Sequence, residues 1–168
     1  FASVTVLDPH STVSEALFDR LVIMRPVENV KKVIAKIEKK DTPLVMFYPD
    51  EGAMKRYSAM FDRPYTFGMK KRDWATGQIQ GLDVAGMTDE IRGSDILIVD
   101  DICSRGGTFY HSAKALKNLG AGEIYLYVSH CENSILEGEL LTSGLVEKVF
   151  TTNSIFTKEH ERIEILEV

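Results

Sequence analysis

Short runs of β-branched and other apolar residues recur along the chain and predict β-strands. Ile96 to Val99 is an uninterrupted apolar run, typical of a strand that is buried on both faces of a parallel sheet. The last stretch of the chain alternates apolar and charged residues, which favours an edge strand. The predicted strands are Val4–Leu7, Leu21–Met24, Leu44–Tyr48, Tyr65–Met69, Leu82–Met87, Ile96–Val99, Glu123–Ser129, Val146–Thr152 and Ile163–Val168.

Apolar residues at helical spacing predict helices between these strands. The stripe of Val27, Val30, Ile34 and Ile37 follows Pro26, a residue favoured in the first turn of a helix. Because strands alternate with helices over short connections, we predict an α/β fold with an open, mostly parallel sheet flanked by helices, as one domain over residues 1–168. The other predicted helices run through Val13–Leu17, from Met54 to Phe61, from Phe109 to a stop at Gly120, and from Ile135 to Gly144.

The composition is that of one globular domain. It argues against a nucleic-acid partner and against a membrane span. A formal net charge of −5 argues against nucleic acid as the main partner, and no apolar run approaches the roughly 18 residues that a membrane span needs. Asp8 and His10 interrupt the first apolar stretch, so it does not resemble a signal peptide. Cys103 and Cys131 lack metal-ligand spacing, which favours free thiols in a reducing cytoplasm.

The most informative stretch follows the predicted strand Ile96–Val99. Asp100 and Asp101 stand at the end of that strand, and the glycine-containing loop Ser104–Thr108 leads into the next predicted helix. Small residues let the backbone approach a ligand closely, and the amide groups at a helix N-terminus attract a phosphate. The two carboxylates suit hydroxyl groups or a hydrated Mg²⁺. The stretch therefore predicts a phosphate site with an acidic neighbour.

Polar residues also follow other predicted strands. Asp8 and His10 end the first strand, and Asp50 ends the third. In open parallel sheets, ligands bind beyond the carboxyl ends of the strands, so we expect these residues to share one site. His10 with a nearby carboxylate is typical of a hard-metal or metal–nucleotide site. Lys70 and Arg72 fall in a predicted exposed loop over residues 70–77, where they would neutralise charge on a transferring diphosphoryl group.

Several of these stretches resemble known motifs. The loop after Asp100 resembles the phosphoribosyl diphosphate (PRPP) binding motif of the phosphoribosyltransferase-like fold, and nearly the whole chain is similar to the C-terminal half of the ribose-phosphate diphosphokinase (PRPP synthetase) family. Asp8-Pro-His10 resembles that family's Asp-Leu-His, and Tyr48 to Ala53 resembles its Ser-Pro-Asp-x-Gly-Gly. Lys70-Lys-Arg72 resembles its Lys-Arg-Arg, and Asp100 to Thr108 resembles its Asp-Asp-x-x-Asp-Thr-Gly-Gly-Thr.

The resemblance implies a type I phosphoribosyltransferase-like fold and an activity. The reaction would transfer diphosphate from Mg–ATP to the 1-hydroxyl of ribose 5-phosphate, giving PRPP and AMP. Mg²⁺ would be the cofactor, and the protein would be a homo-oligomer. The implied site residues are Asp100, Asp101, Ser104, Arg105, Gly106, Gly107 and Thr108 for ribose 5-phosphate or PRPP; Asp50, Glu51, Gly52 and Ala53 for the diphosphate; Asp8, His10 and Asp50 for the metal; and Lys70 and Arg72 for catalysis.

Departures from the family pattern keep alternatives open. Arg105 replaces the loop Thr and either adds a phosphate contact or distorts the loop, and Ala53 replaces the second Gly of the diphosphate loop. Nothing before Phe1 corresponds to the family's N-terminal half, which carries much of the ATP surface, so a processed or truncated chain is one expectation. A stand-alone phosphoribosyltransferase and a non-catalytic PRPP synthetase-associated subunit are the alternatives. Asp8-Pro-His10 together with Lys70-Lys-Arg72 favours the kinase, because transferases generally lack that pair.

Overall fold

A seven-stranded sheet forms the centre of the protein, with helices on both of its faces. The computed structural model describes residues 1–11, 13–72 and 79–168, and at 70–72 and 79–82 it describes the backbone alone. The strands are β1 Val4–Leu7, β2 Leu21–Met24, β3 Leu44–Tyr48, β4 Tyr65–Arg72, β5 Ile79–Gly86, β6 Asp95–Cys103, β7 Ile124–Cys131, β8 Lys148–Thr152 and β9 Ile163–Leu166. The helices are α1 Val13–Leu17, α2 Val27–Ile37, α3 Glu51–Tyr57 and α4 Gly107–Asn118, and 3₁₀ turns cover Ser58–Met60, Thr88–Glu90 and Asn133–Glu137.

The sheet is mostly parallel, as the sequence predicts. Its strand order is β5-β4-β3-β6-β7-β8-β9, and every neighbouring pair is parallel except β4 with β5. The strands β1 and β2 form a separate parallel pair. The predicted α/β class with a mostly parallel, helix-flanked sheet is therefore confirmed. Within the described ranges, no helix combines the length and apolar character needed to cross a bilayer.

The alternation of side chains along β6 divides the core into two layers. Ile96 and Ile98 pack with α4 on one face, whereas Leu97 and Val99 pack with α2 and α3 on the other. Successive residues of a strand point to opposite faces. Asp101 comes two residues after Val99 and therefore lies on the same face of β6, which α3 covers.

Two predicted elements differ from the structure. The segment predicted as a loop from Lys70 begins as strand, because β4 continues through Arg72 and pairs with β5 in an antiparallel ladder. The helix predicted from Ile135 to Gly144 is wrong, since only a 3₁₀ turn forms over Asn133–Glu137. The physical reason is that the Gly138 backbone packs closely against the carbonyl oxygen of Arg105.

Candidate active site

A cavity of about 330 Å³ opens at the carboxyl ends of β3 and β6. Its walls come from the segment after β1, the residue that caps α3, α3 itself, the end of β6 and the loop into α4. It gathers many of the residues that the sequence singles out. The lining residues are His10, Asp50, Arg56, Asp100–Ile102 and Ser104–Phe109. The described lining does not include Asp8, Glu51, Gly52 or Ala53.

The loop between β6 and α4 is shaped to receive an anion. Gly106 has φ of 81°, a left-handed conformation that favours glycine, and a Cβ there would lie 3.0 Å from the Cβ of Leu140. The first amide groups of a helix have no acceptor within the helix. In α4 these amides belong to Gly107, Thr108 and Phe109, which all line the cavity. The positive end of the α4 dipole adds to the attraction for a phosphate.

Gly138 supports this loop from the outside. A Cβ at position 138 would lie only 1.9 Å from the carbonyl oxygen of Arg105, so no other residue fits without a backbone shift. Sequence reasoning missed this contact because it placed Gly138 inside a predicted helix. A glycine in the middle of that helical pattern was the available signal, since glycine disfavours helix interiors.

Asp101 is held by two side chains that are distant from it in the sequence. Its side chain is 3% exposed, and its Oδ2 atom lies 2.8 Å from Arg56 Nη1 and 2.6 Å from His10 Nδ1. Burial by itself raises the pKa of Asp101, but hydrogen bonding from Asp100, the positive charge of Arg56 and the hydrogen bond to His10 outweigh burial and lower the pKa. Asp101 is therefore held ionised, with its orientation set from two sides.

Arg56 is a cavity residue that sequence reasoning did not identify. It lies on α3, and its side chain is 14% exposed and lines the cavity. Its nitrogen also donates a hydrogen bond to Tyr57 Oη at 3.3 Å. The available signal was a basic residue between the apolar Met54 and the fully buried Tyr57, on a helix that starts at a predicted site residue.

Asp100 has the opposite electrostatic character to Asp101. Its Oδ1 atom accepts a hydrogen bond of 2.9 Å from the Asp101 backbone amide. Burial, and then the negative charge of Asp101, raise the pKa of Asp100 to about 8. Two neighbouring carboxylates with pKa values displaced in opposite directions are typical of binding and catalytic sites.

We expect Asp100→Asn to stabilise the protein at neutral and alkaline pH. Because the folded state favours the protonated carboxyl, wild-type stability falls as the pH rises from the ordinary aspartate range towards 8, and Asn removes that loss. The free energy of unfolding should be higher in the variant by about 2 kcal/mol at pH 8, with the difference vanishing near pH 4. Urea unfolding at several pH values measures this. A variant that is less stable than wild type at every pH would contradict the burial of this charge.

Asp8 lies outside the described lining of the cavity. It is fully buried, with φ of 40°, and its Oδ2 accepts hydrogen bonds from Tyr57 Oη at 2.9 Å and from the Ser129 hydroxyl. Burial raises its pKa, and among the described contacts its Oδ1 has no hydrogen-bond partner. His130 Nε2 contacts the carbonyl of Leu7 at 3.0 Å. These contacts hold the turn that carries His10 to Asp101, while metal binding by Asp8 stays a prediction.

The predicted diphosphate loop is the first turn of α3. Asp50 caps this helix, and its Oδ1 accepts a hydrogen bond of 3.0 Å from the Ala53 amide. Ala53 is fully buried, and only Asp50 of the four residues lines the cavity. The Ala53 amide is thus already used by the cap. Diphosphate binding by Glu51, Gly52 and Ala53 stays a prediction.

The two predicted catalytic residues lie on β4. Lys70 pairs with Leu82 and Arg72 with Ile79 in the ladder with β5. Their side chains, and residues 73–78 of the predicted loop, lie outside the described part of the structure. Their role in catalysis therefore stays a prediction.

The carboxylates of the cavity suit a hard cation. Among the described residues, no group of three or more His, Cys, Asp or Glu side chains forms a complete metal site. Mg²⁺, however, is usually held by one or two carboxylates together with water and substrate phosphates. Asp50 and Asp100 line the cavity, and the charge of Asp50 contributes to the raised pKa of Asp100. A cation between them would relieve that repulsion, so the residues present fit the ion.

The chain is similar in sequence to curated ribose-phosphate pyrophosphokinases. Ribose-phosphate pyrophosphokinase of Sulfurisphaera tokodaii is 30% identical over 168 residues, which cover 97% of this chain and 55% of that protein. The enzyme of the same name from Sulfolobus acidocaldarius is 29% identical over 173 residues, covering 99% of this chain and 56% of that protein. The chain thus spans about half the length of these curated relatives.

Structural and family comparisons place the fold. The crystal structure of phosphoribosylpyrophosphate synthetase from Mycobacterium smegmatis matches with a TM-score of 0.78 at 20% identity, over 99% of this chain and 54% of that one. The resemblance to the C-terminal half of the ribose-phosphate diphosphokinases is thereby confirmed. The phosphoribosyl transferase domain family matches residues 25–163, which is most of the sequence. The chain therefore belongs to the phosphoribosyl transferase domain family.

Proposed function

We propose that this chain binds ribose 5-phosphate and carries the sugar-phosphate half of a ribose-phosphate diphosphokinase. One observation carries the proposal: the cavity joins the acidic pair Asp100–Asp101 to the glycine loop at the start of α4, with His10 on Asp101. The relatives that match nearly the whole chain are ribose-phosphate pyrophosphokinases. Because the chain spans about half of their length, the full reaction is part of the proposal.

In the proposed reaction, the ribose 1-hydroxyl attacks the β-phosphorus of ATP. A bond forms between O1 and that phosphorus, the bond from the β-phosphorus to the bridging oxygen breaks, AMP leaves with that oxygen, and the hydroxyl proton is released. Ser104–Thr108 would hold the 5-phosphate through backbone amides, and Asp100 and Asp101 would accept hydrogen bonds from the ribose hydroxyls. Lys70 and Arg72 would stabilise charge on the transferring group.

Mg²⁺ is the proposed cofactor; the cavity carboxylates Asp50 and Asp100 would hold it, with Asp8 and His10 as further predicted ligands. When bound, it would neutralise charge on the phosphates. Arg56 would act as a positioning residue, because its contact with Asp101 orients that carboxylate. A homo-oligomer and a reducing, cytoplasmic setting remain part of the proposal, and the free cysteines Cys103 and Cys131 support the latter.

The second candidate is a stand-alone phosphoribosyltransferase that uses PRPP as donor. It is favoured by the family match, which spans residues 25–163 and so omits His10. A transferase of this kind needs the sugar-phosphate loop and a magnesium ion but not the contact between His10 and Asp101. The two functions differ in their products. The diphosphokinase releases AMP from ATP, whereas the transferase releases diphosphate from PRPP. A non-catalytic subunit would bind the same ligands and release neither product.

Calorimetric titration and a product assay test the proposal. Ribose 5-phosphate, PRPP and ATP are titrated in turn into the protein with Mg²⁺, and AMP is measured after ribose 5-phosphate and ATP are mixed with it. We expect ribose 5-phosphate and PRPP to bind and AMP to be released. Diphosphate release from PRPP with one of a panel of nucleobases would instead establish a transferase. Failure of ribose 5-phosphate and PRPP to bind would overturn the sugar-phosphate site itself.

A further inference from the structure

Arg105 and Glu137 form an ion pair at the edge of the phosphate loop. Arg105 Nη2 lies 3.0 Å from Glu137 Oε2, and Arg105 also lines the cavity. We propose that Arg105 is a direct ligand of the sugar phosphate and that Glu137 competes with this phosphate for the guanidinium group. The inference rests on the proposed function, because it takes the anion in the loop to be the 5-phosphate of the sugar.

The ion pair is weak enough to be exchanged. The Arg105 and Glu137 side chains are 73% and 63% exposed. Exposed pairs contribute little because water screens the charges and two long side chains must be ordered. A sugar phosphate carries close to two charges and three acceptor oxygens, which match the planar donor fork of arginine. The phosphate therefore displaces the carboxylate when it binds, and Glu137 holds the guanidinium group when the site is empty.

The backbone keeps the competing carboxylate close to the loop. Gly138, the neighbour of Glu137, packs directly against the carbonyl oxygen of Arg105. Two residues further on, Leu140 is fully buried and packs against Gly106. The segment that carries Glu137 and the loop that carries Arg105 therefore form one packed unit. The distance between the two charges is set by backbone contacts as well as by side-chain conformation.

The exposure of Arg105 also shows whether its large side chain distorts the loop. Its sequence position allowed either an added phosphate contact or a distorted loop. In the structure most of the side chain lies in solvent beside Glu137. The packing against the loop involves the Arg105 backbone and Gly106. The bulk of Arg105 thus stays outside the packed part of the loop, and the guanidinium group remains available to the anion.

Four variants test the competition by calorimetric titration of ribose 5-phosphate, PRPP and inorganic phosphate. Arg105→Thr should weaken the binding of each ligand roughly tenfold, because one charged hydrogen-bonding group is lost. Glu137→Gln should tighten binding roughly threefold, the size expected for release of an exposed pair. Arg105→Thr combined with Glu137→Gln should bind like Arg105→Thr alone. Glu139→Gln is the matched control, since it makes the same charge change two residues along the same segment and should leave affinity unchanged.

The outcomes separate this inference from the proposed function. Equal tightening by Glu137→Gln and Glu139→Gln would reveal a general charge effect and overturn the competition. Unchanged or tighter binding by Arg105→Thr would overturn the role of Arg105 as a ligand. If the wild type binds inorganic phosphate with the expected variant pattern but neither sugar phosphate, the proposed function fails while the role of Arg105 stands. If the wild type binds none of the three, both fail together.

Discussion

Replacing Gly138 with Ala is expected to weaken sugar-phosphate binding roughly a hundredfold, because a displaced loop loses charge-assisted hydrogen bonds to the phosphate that are worth about 1.5–3 kcal/mol each. The added Cβ would lie 1.9 Å from the carbonyl oxygen of Arg105, so the loop before α4 must move. Gly138 has φ of −92°, which alanine adopts freely, so the effect comes from the collision. We also expect the free energy of unfolding to fall by about 2–3 kcal/mol, as in other overpacked sites.

Titration of ribose 5-phosphate and urea unfolding measure the two effects of Gly138→Ala. Gly144→Ala is the matched control, because Gly144 has φ of 70° but an added Cβ there meets nothing within 4 Å. This control should lose about 1 kcal/mol of stability to the left-handed conformation and keep its affinity for the sugar phosphate. Wild-type affinity in Gly138→Ala would show that the contact with Arg105 does not position the loop.

Replacing Arg56 with Met is expected to destabilise the protein strongly, because Arg56 is the guanidinium partner of the buried Asp101 carboxylate. The Met side chain fills similar space but leaves the buried Asp101 carboxylate without its guanidinium partner, which lies 2.8 Å away in the wild type. Breaking one partner of a buried pair costs about 3 kcal/mol. Because Asp101 then loses part of its orientation, we expect the affinity for ribose 5-phosphate to fall roughly tenfold as well.

The pH dependence distinguishes this effect from a simple loss of packing. Asp101 has a lowered pKa in the folded protein, so its contribution to stability is present above its ordinary pKa and is lost as the pH falls through the folded value. Removal of Arg56 raises that pKa, so the deficit of the variant should be largest at neutral pH and shrink in acid. Urea unfolding of wild type and variant across this range measures it.

Arg63→Met is the matched control for Arg56→Met. Arg63 lies 2.8 Å from Glu38, but the two side chains are 28% and 45% exposed. Exposed pairs of this kind contribute between about 0 and 1 kcal/mol, so the control should stay close to wild type in stability and sugar-phosphate affinity. Equal losses in the two variants, or a deficit that does not change with pH, would contradict the role assigned to Arg56.

The local elements of this protein follow closely from its sequence. The bounds predicted for β1, β2 and β3 are those observed, because runs of apolar and β-branched residues determine strands by their own burial. The stop at Gly120, where φ is 90°, follows from the tolerance of glycine for a left-handed helix end. The acidic pair and the glycine loop are contiguous in sequence, so their joint presence in one site was also predictable.

Other features depend on residues that are far apart in the chain. His10 reaches Asp101 across 91 positions, and Ser129 reaches Asp8 across 121 positions. Asp8, whose metal binding stays a prediction, is fully buried because its partners Tyr57 and Ser129 come from other elements. The extension of β4 through Arg72 likewise depends on its partner β5 and not on the polar character of the residues themselves.

The sequence by itself determined the α/β class, the order of most elements and the glycine loop beside Asp100 and Asp101, because each of these depends on patterns of neighbouring residues. Only the tertiary structure decided that Arg56 and His10 hold Asp101 and that Gly138 supports the Arg105 backbone. Those contacts join elements that are distant in the chain, and a local pattern of polar and apolar residues contains no information on which distant partner the fold brings close.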